Sequence, residues 1–311
     1  MPFGLSEPTT IRGRILRVDL STRSWGVEEP EEQFYRTYLG GSGFTAYYLL
    51  HEAARQTDPL GPGNPLIFSN GPLTGLSVPG AGRHGVGAKS PLTGGFGDAQ
   101  AGGYWGYELK RAGFDAIVIT GASERPVYLW VHDGQVEFRD AEHLWGALGG
   151  PCLAQIHREL GDDRARVSYI GPAGENMVRY ACIGHDLRAF AGRTGLGAVM
   201  GSKKLKAIAV RGSSPIQPQN PERVKELTRK IAQQRISAGF AKSLNQYGTA
   251  CLLPGLSNSG GCPTRNFRLG HFDGVEAIGG PAMDAAIVGG KEGCYACPIK
   301  CKRVSKPEGP Y

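Results

Sequence analysis

GRHGVGAKSPLTGGFGDAQAGGYWGYELKRAGFDAIVITG, residues 82–121, combines closely spaced glycines with a β-branched apolar run at its end. Glycine allows the tight turns that most other residues resist, and runs such as DAIVITG (115–121) are typical of buried strands. The stretch therefore predicts short strands separated by glycine turns. The same pattern of short apolar runs and glycines continues through the first two hundred residues.

Other segments of this region also read as strands. Residues 14–20 alternate apolar and charged side chains, and residues 65–69 and 206–212 are short apolar runs. The clearest supersecondary signal is in residues 127–138, where two alternating arms flank Asp133-Gly134, a favoured type I′ turn pair. These patterns predict a β-rich domain containing at least one hairpin.

Helices are predicted at fewer places. Residues 43–55 and 151–160 have helical patterns, and Gly161 is a suitable C-terminal cap for the second. After the linker-like segment GSSPIQPQNPE (212–222), Asn220 can cap a helix whose first residue is Pro221. We therefore expect an α+β chain with a β-rich domain over residues 1–212 and the beginning of a helical domain over residues 213–311.

Bulk composition limits the classes of function. The 311 residues suggest about two domains, and the 48 glycines are about twice the usual share. The net charge of +7 is not concentrated in runs, which argues against nucleic acid and suits an anionic, phosphate-bearing ligand. Residues 1–10 lack the features of a signal peptide, and no apolar run approaches the ~20 residues needed to span a membrane. We expect a cytoplasmic protein.

Three of the seven cysteines are clustered near the end of the chain. Cys294, Cys297 and Cys301 lie in GCYACPIKCKRV (293–304), a spacing that lets three thiolates converge on one iron–sulfur cluster if a loop is followed by a helical turn. Zinc is the alternative, although zinc sites usually contain two cysteine pairs. Cys251 and Cys262 are upstream candidates for a fourth ligand.

The glycine-rich loops do not fit nucleotide-binding motifs. Residues 80–85 match G-x-G-x-x-G, but the flanking prolines, including Pro91, are incompatible with the strand–turn–helix context, and residues 82–90 miss a P-loop by one residue. Glycine backbone and an arginine can still hold a phosphate. Arg83, Arg188 and Arg193 are candidates, and an ordinary surface turn is the competing interpretation of each loop.

Five segments, in this order along the chain, closely resemble the aldehyde:ferredoxin oxidoreductase family. They are DPLGPGNPLIFSNGPLTG (58–75), residues 82–121 quoted above, IGPAGEN (170–176), AGRTGLGAVMGSKKLKAIAV (191–210) and CYACPIKCKRV (294–304). The resemblance implies two β-sheets that form a base for tungsten, or molybdenum, held by two pyranopterins. It also implies a magnesium ion between the pterin phosphates, a [4Fe–4S] cluster, aldehyde as substrate and ferredoxin as electron acceptor.

The resemblance also assigns residues. In the second pterin loop the spacing of RAFAGR leaves the exact partner as Arg188 or Ala189, and Gln100 stands where some members have asparagine. No catalytic acid or base is assigned, and His84, His143 and His185 are interpreted as structural. The implied cofactor contacts are Arg83, Gln100, Gly102, Gly103, Arg188, Ala189, Gly192 and Arg193, and the implied cluster ligands are Cys294, Cys297 and Cys301.

In the family the fourth cluster cysteine lies beyond Tyr311, and residues 307–311 read as a loop rather than a helix cap. We therefore expect a fragment or one half of a split protein, completed by a second chain. The first functional hypothesis is a catalytic aldehyde oxidoreductase. The alternatives are a non-catalytic pterin- or cluster-binding partner subunit and a catalytic subunit that reduces aryl thioesters.

Overall fold

The computed structural model describes residues 10–235 and 239–306, apart from the side chain at position 235. Residues 1–9, most of the segment tested for a signal peptide, and residues 307–311, the predicted terminal loop, lie outside this range. The chain forms two compact units. The first extends to Leu76 and from Ala81 to Pro221, and the second comprises Ser77–Gly80 and the chain from Glu222 onward.

Two six-stranded mixed sheets form the centre of the first unit. The first sheet has the order β2-β1-β6-β3-β4-β5, in which only β1 and β6 are parallel neighbours. Its strands are β1 Ile15–Asp19, β2 Ser24–Glu28, β3 Leu66–Asn70, β4 His84–Lys89, β5 Phe96–Ala101 and β6 Ala116–Thr120.

The second sheet has the order β11-β10-β9-β12-β7-β8, and only β12 and β7 are parallel neighbours. Its strands are β7 Val127–His132, β8 Gln135–Asp140, β9 Arg166–Tyr169, β10 Ile183–His185, β11 Ala189–Ala191 and β12 Leu205–Arg211. The helices of this unit are α1 Glu32–Tyr38, α2 Ser42–Glu52, α3 Trp105–Arg111, α4 Gly149–Leu160, α5 Pro172–Glu175 and α6 Leu196–Ser202.

The main core lies between the sheets, where Val86 and Ile117 of the first sheet share one buried cluster with Leu129 and Ile208 of the second. Each outer sheet face is covered by helices. Helices α1 and α2 cover the first sheet, and α4 covers the second. Because both faces of the central strands are buried, their sequences are nearly continuous apolar runs rather than alternating patterns.

Several sequence predictions are confirmed. The runs 14–20, 65–69, 115–121 and 206–212 contain β1, β3, β6 and β12, and residues 127–138 form the β7–β8 hairpin. Asp133 and Gly134 both have positive φ, 42° and 82°, as a type I′ turn requires. The predicted helices correspond to α2 and α4, and Gly161 ends α4 with a φ of 65°. The α+β fold with two sheets is therefore correct.

Residues 82–90, where the sequence does not fit a P-loop, form a glycine-rich segment that is only partly a loop. Most of the segment is β4, a buried strand. A Cβ on Gly87 would lie 2.1 Å from Thr45 Cγ2, and one on Gly85 would lie 3.2 Å from Gly41 Cα. These glycines therefore provide room for the start of α2 to pack on the sheet.

The second unit is mainly helical. A helix begins at Pro221, as predicted, and the unit also contains a two-stranded antiparallel sheet, β13 with β14. None of the helices within the described residues is sufficiently long and apolar to cross a membrane. The helices and strands are α7 Pro221–Arg235, α8 Gly239–Tyr247, α9 Leu253–Asn258, α10 Val275–Ile278, α11 Gly280–Ala286, β13 Val288–Glu292 and β14 Lys302–Ser305.

Candidate functional site

Arg83 and Gln100 lie together at the end of the β4–β5 pair. In this antiparallel pair His84 is opposite Ala101, and Gly85 is opposite Gln100, so Arg83 at the start of β4 meets the end of β5. The Arg83 guanidinium donates from Nε to Gln100 Oε1 (3.3 Å) and from Nη2 to the Gln100 carbonyl (3.4 Å). Both side chains are exposed, so the guanidinium faces solvent in a restrained position.

Gly102 and Gly103 form the turn that connects β5 to α3. Both are buried, and Gly103 has a φ of +103°, which strongly favours glycine. The first residue of α3, Trp105, is fully buried and donates from Nε1 to the carbonyl of Ile208 in β12 (3.0 Å). The turn that follows an edge strand of the first sheet is thereby fixed to the second sheet.

Arg188 and Ala189 come from the β10–β11 hairpin of the second sheet. Ala189 is opposite His185, and Arg188 N donates to the His185 carbonyl (3.0 Å). Strand β11 lies against β5, and a Cβ built on Gly103 would lie 3.8 Å from Ala189 Cβ. The structure therefore brings together two segments that sequence reasoning assigned to separate loops. The Arg188 side chain is exposed.

Gly192 and Arg193 follow β11 and lead into α6. The loop is fastened to the other sheet's β4–β5 connection, because Ser90 Oγ donates to the Thr194 carbonyl (2.7 Å). Gly192 and Arg193 are exposed, and a Cβ on Gly192 would meet nothing within 4 Å. Gly195, by contrast, is required by the fold. Its φ is +73°, and a Cβ added there would lie 1.9 Å from the Arg179 carbonyl oxygen.

The predicted contacts thus come from both sheets. Arg83, Gln100, Gly102, Gly103 and Ala189 lie around the end of β5, while Arg188 and the Gly192–Arg193 loop flank the two ends of β11. Arg83 and Arg193 each follow a glycine directly, and these two and Arg188 are exposed arginines of the kind that suits an anion with phosphate groups. These residues therefore fit a phosphorylated pterin cofactor.

The sequence did not show which side chains pack behind the predicted cofactor contacts. The ring of His84 packs edge-on against His185, with centroids 4.5 Å apart, and lies 5.0 Å from the ring of Trp105. Burial, with a smaller contribution from Arg83, lowers the pKa of His84 to about 3. Ser168 Oγ lies 2.6 Å from His185 Nδ1, and His143 pairs with Glu159 at 2.6 Å on the surface. The position of His84 directly after Arg83 was the one sequence signal that could have indicated this packing.

The cysteine motif occupies the connection between β13 and β14. The loop-and-helical-turn arrangement expected for it is wrong, because residues 293–301 contain turns and no helix. Cys297 N donates to the Cys294 carbonyl (3.1 Å), and Ala296 and Lys300 have positive φ, 50° and 47°. A hairpin loop, instead of a helix, presents the three half-buried free thiols.

Contacts from α8 and β14 hold this loop. Asn245 Nδ2 donates to the Ile299 carbonyl (2.9 Å), and Arg303 Nη1 donates to the carbonyls of Asn245 (3.1 Å) and Gln246 (3.0 Å). Arg303 Nη2 also donates to the Lys300 carbonyl. Within residues 10–235 and 239–306, no three His, Cys, Asp or Glu side chains are arranged as a metal site, so the thiols are close in sequence but not converged. Thiol donors in a basic loop have the chemistry that an iron–sulfur cluster requires.

Comparisons with known proteins agree with the resemblance seen in the sequence. The family model described as "Aldehyde ferredoxin oxidoreductase, N-terminal domain" matches residues 15–212, and "Aldehyde ferredoxin oxidoreductase, domains 2 & 3" matches residues 215–311. The tungsten-containing aldehyde ferredoxin oxidoreductase of Thermococcus kodakarensis is 47% identical over 94% of this chain and 49% of the relative. The Pyrococcus furiosus enzyme of the same description is 44% identical over equal shares.

More distant relatives have other described activities. The aliphatic sulfonate oxidoreductase, WOR-like subunit, of Pyrococcus furiosus is 33% identical over 96% of this chain and 50% of the relative. A solved structure of the active site complex BamBC of benzoyl coenzyme A reductase with 1,5-dienoyl-CoA has a TM-score of 0.84 and 31% identity, over 98% of this chain and 48% of that chain. The chain spans about half the length of the relatives it matches. It belongs to the aldehyde ferredoxin oxidoreductase family.

Proposed function

We propose that this chain provides the pterin-binding base of a tungsten-dependent oxidoreductase that converts aldehydes to carboxylic acids and passes electrons to ferredoxin. The observation that carries the proposal is the convergence of Arg83, Gln100, Gly102, Gly103 and Ala189 from two sheets at the end of β5. The identity of 47% to a tungsten-containing aldehyde ferredoxin oxidoreductase supports the choice of metal and substrate class.

The bound tungsten bis-pterin, or its molybdenum counterpart, would supply the two-electron chemistry. The chain's own residues bind and orient it. Arg83, Arg188 and Arg193 would hold its phosphate groups by charge-assisted hydrogen bonds, and magnesium would offset the remaining negative charge. The small residues Gly102, Gly103 and Ala189 allow close backbone approach, and exposed Gly192 leaves open space beside β11.

We propose that Cys294, Cys297 and Cys301 are three ligands of a [4Fe–4S] cluster, with the fourth from the portion of the relatives that this chain does not match. Lys300, Lys302 and Arg303 place positive charge in or beside the same hairpin. This charge stabilises an anionic thiolate-ligated cluster. We also propose that the domains divide between residues 212 and 213, with the cysteine motif in the second domain.

A second candidate is the reduction of aromatic thioesters. It is favoured by the 31% identity and TM-score of 0.84 to the benzoyl coenzyme A reductase complex, over nearly the whole chain. The higher identity to the aldehyde enzymes favours the first candidate. A non-catalytic partner subunit is the remaining alternative, and it differs from both in lacking turnover when the site is complete.

The test is anaerobic co-expression of the chain with the polypeptide that supplies the other half of its relatives' length. The purified assembly is analysed for tungsten, molybdenum, magnesium, iron and pterin. It is then assayed with aldehydes and oxidised ferredoxin, and with benzoyl-CoA and a reduced low-potential electron donor. Metal, pterin and aldehyde-dependent ferredoxin reduction are expected. Activity with the thioester alone would select the second candidate, and a loaded assembly without turnover would select the partner subunit.

A further inference from the structure

His84 occupies an unusual position for an ionisable side chain. It follows Arg83 directly, begins β4, and is 2% exposed in the space between the two sheets. Its side chain lies on the same strand face as Val86, which belongs to the core between the sheets. The ring therefore lies inside the sandwich, directly behind an exposed arginine of the candidate cofactor site.

The rings of Trp105 and His185 contact His84 and adjoin two of the segments with predicted cofactor contacts. Trp105, 5.0 Å away, begins the helix that follows the Gly102–Gly103 turn. His185, 4.5 Å away and nearly perpendicular, is opposite Ala189 in the β10–β11 hairpin and accepts the hydrogen bond from Arg188 N. Trp105 and His185 also contact each other, with ring centroids 6.1 Å apart, so the three rings form one cluster behind both segments.

The His84 ring is held by packing against the neighbouring rings rather than by hydrogen bonds. No described residue hydrogen-bonds to either ring nitrogen of His84. Burial keeps the imidazole neutral at physiological pH, since its pKa is lowered to about 3. The ring therefore adds no charge that would compete with the guanidinium groups for an anion, and its effect depends on its flat shape.

We propose that His84 is a positioning residue that fixes the spacing between the Gly102–Gly103 turn and the Arg188–Ala189 segment, and thereby the geometry in which both contact the pterin cofactor. The inference rests on the proposed function, because it assumes that these segments bind one ligand. His84 itself does not touch the cofactor. It acts through its ring contacts with Trp105 and His185.

The test compares pterin retained per polypeptide, measured by fluorescence of the released and oxidised pterin, in anaerobically assembled wild type and variants. Supporting residues of a bound metal centre typically change affinity by 10–100-fold, so His84→Ala is expected to lower pterin retention about tenfold. His84→Leu, which keeps the volume without the flat ring, is expected to lose pterin similarly and serves if the alanine variant does not fold. His84→Phe is expected to restore retention.

Val86→Ala is the matched control, because it removes buried volume from the same face of the same strand. It is expected to retain pterin at the wild-type level. The inference is overturned if His84→Ala and His84→Leu fold and retain full pterin, if folded His84→Phe does not, or if Val86→Ala loses as much as His84→Ala. Wild type that assembles without pterin would overturn the proposed function, and this inference with it.

Discussion

Arg83 and Gln100 are joined by two hydrogen bonds, one to the glutamine side chain at 3.3 Å and one to its backbone carbonyl at 3.4 Å. The pairing of β4 with β5 makes this contact possible, because it places the residue before one strand beside the last residues of the other. A long exposed arginine would otherwise sample many rotamers. The two bonds restrict it at the edge where Gly102 and Ala189 are also found, which reduces the entropy lost when it binds an anion.

Arg83→Ala is expected to lower the pterin and tungsten content of the assembled protein, because it removes a restrained bidentate donor. Hydrogen bonds to charged groups contribute about 1.5–3 kcal/mol, so affinity should fall by roughly 10- to 100-fold. Arg125→Ala is the matched control, since Arg125 is 72% exposed and lies before β7 in the same unit. Elemental and pterin analysis checks the prediction, and equal loading of both variants would contradict it.

Gly195 and Gly192 are expected to respond differently to alanine. Gly195→Ala places a methyl group against the Arg179 carbonyl at a positive φ, and should reduce the free energy of unfolding by about 2–4 kcal/mol. Gly192→Ala meets open space and should change stability by less than about 0.5 kcal/mol. Urea unfolding followed by near-UV circular dichroism measures both. Similar destabilisation of the two variants would show that the loop is packed differently.

Cysteine substitutions distinguish the proposed cluster ligands from other thiols. Cys297→Ser should reduce bound iron strongly and abolish the visible absorption of the cluster, because serine replaces one of its thiolates. Cys251→Ser and Cys262→Ser are expected to retain iron, since the fourth ligand is proposed to come from elsewhere. Iron analysis after anaerobic purification is the measurement. Loss of iron from either control would identify that residue as a ligand within this chain.

The buried His84 makes the free energy of unfolding depend on pH. Its pKa is lowered from 6.5 to about 3 in the folded protein, so below pH 6.5 the unfolded chain takes up a proton that the folded chain does not. The stabilisation is complete above pH 6.5 and decreases as the pH falls toward 3. Well below pH 6.5 each pH unit lowers the free energy of unfolding by about 1.4 kcal/mol, and near pH 6.5, where the unfolded imidazole is half protonated, the loss is smaller.

The corresponding measurement is urea unfolding of wild type and His84→Phe at pH 6.5 and 5.5. Wild type should lose about 1 kcal/mol more than the variant over this interval, because phenylalanine cannot bind the proton. Parallel losses in the two proteins would mean that His84 is protonated, and therefore hydrated or paired, in the folded state.

Local signals in the sequence predicted local structure well. The Asp133-Gly134 pair specified its hairpin because both residues can adopt positive φ, and Gly161 specified the end of α4 for the same reason. The three short strands β9, β10 and β11 were not predicted. Strand β9 depends on pairing with β12 and β10, which are distant in sequence. The turn between β10 and β11 uses Asp186 and Leu187 at positive φ, which leucine rarely adopts.

The sequence named candidate site residues but could not show how they are arranged. The resemblance named Gly103 and Ala189, but their proximity depends on how an edge strand of one sheet meets a hairpin of the other. Glycine spacing also could not show what fills the space beside Gly85 and Gly87, which is helix α2 and not a phosphate. The role of His84 depends on ring contacts from two segments that are distant in sequence.

The central claim, that the end of β5 and the β10–β11 hairpin together bind a metal–pterin cofactor, is tested most directly by anomalous X-ray diffraction. Crystals of the anaerobically assembled protein would be measured above and below the tungsten and molybdenum absorption edges. We predict an anomalous peak for one of these metals, with pterin density that contacts Gly102–Gly103, Arg83 and the Arg188–Ala189 segment. Density for neither metal, or a peak whose pterins contact none of these residues, would contradict the account.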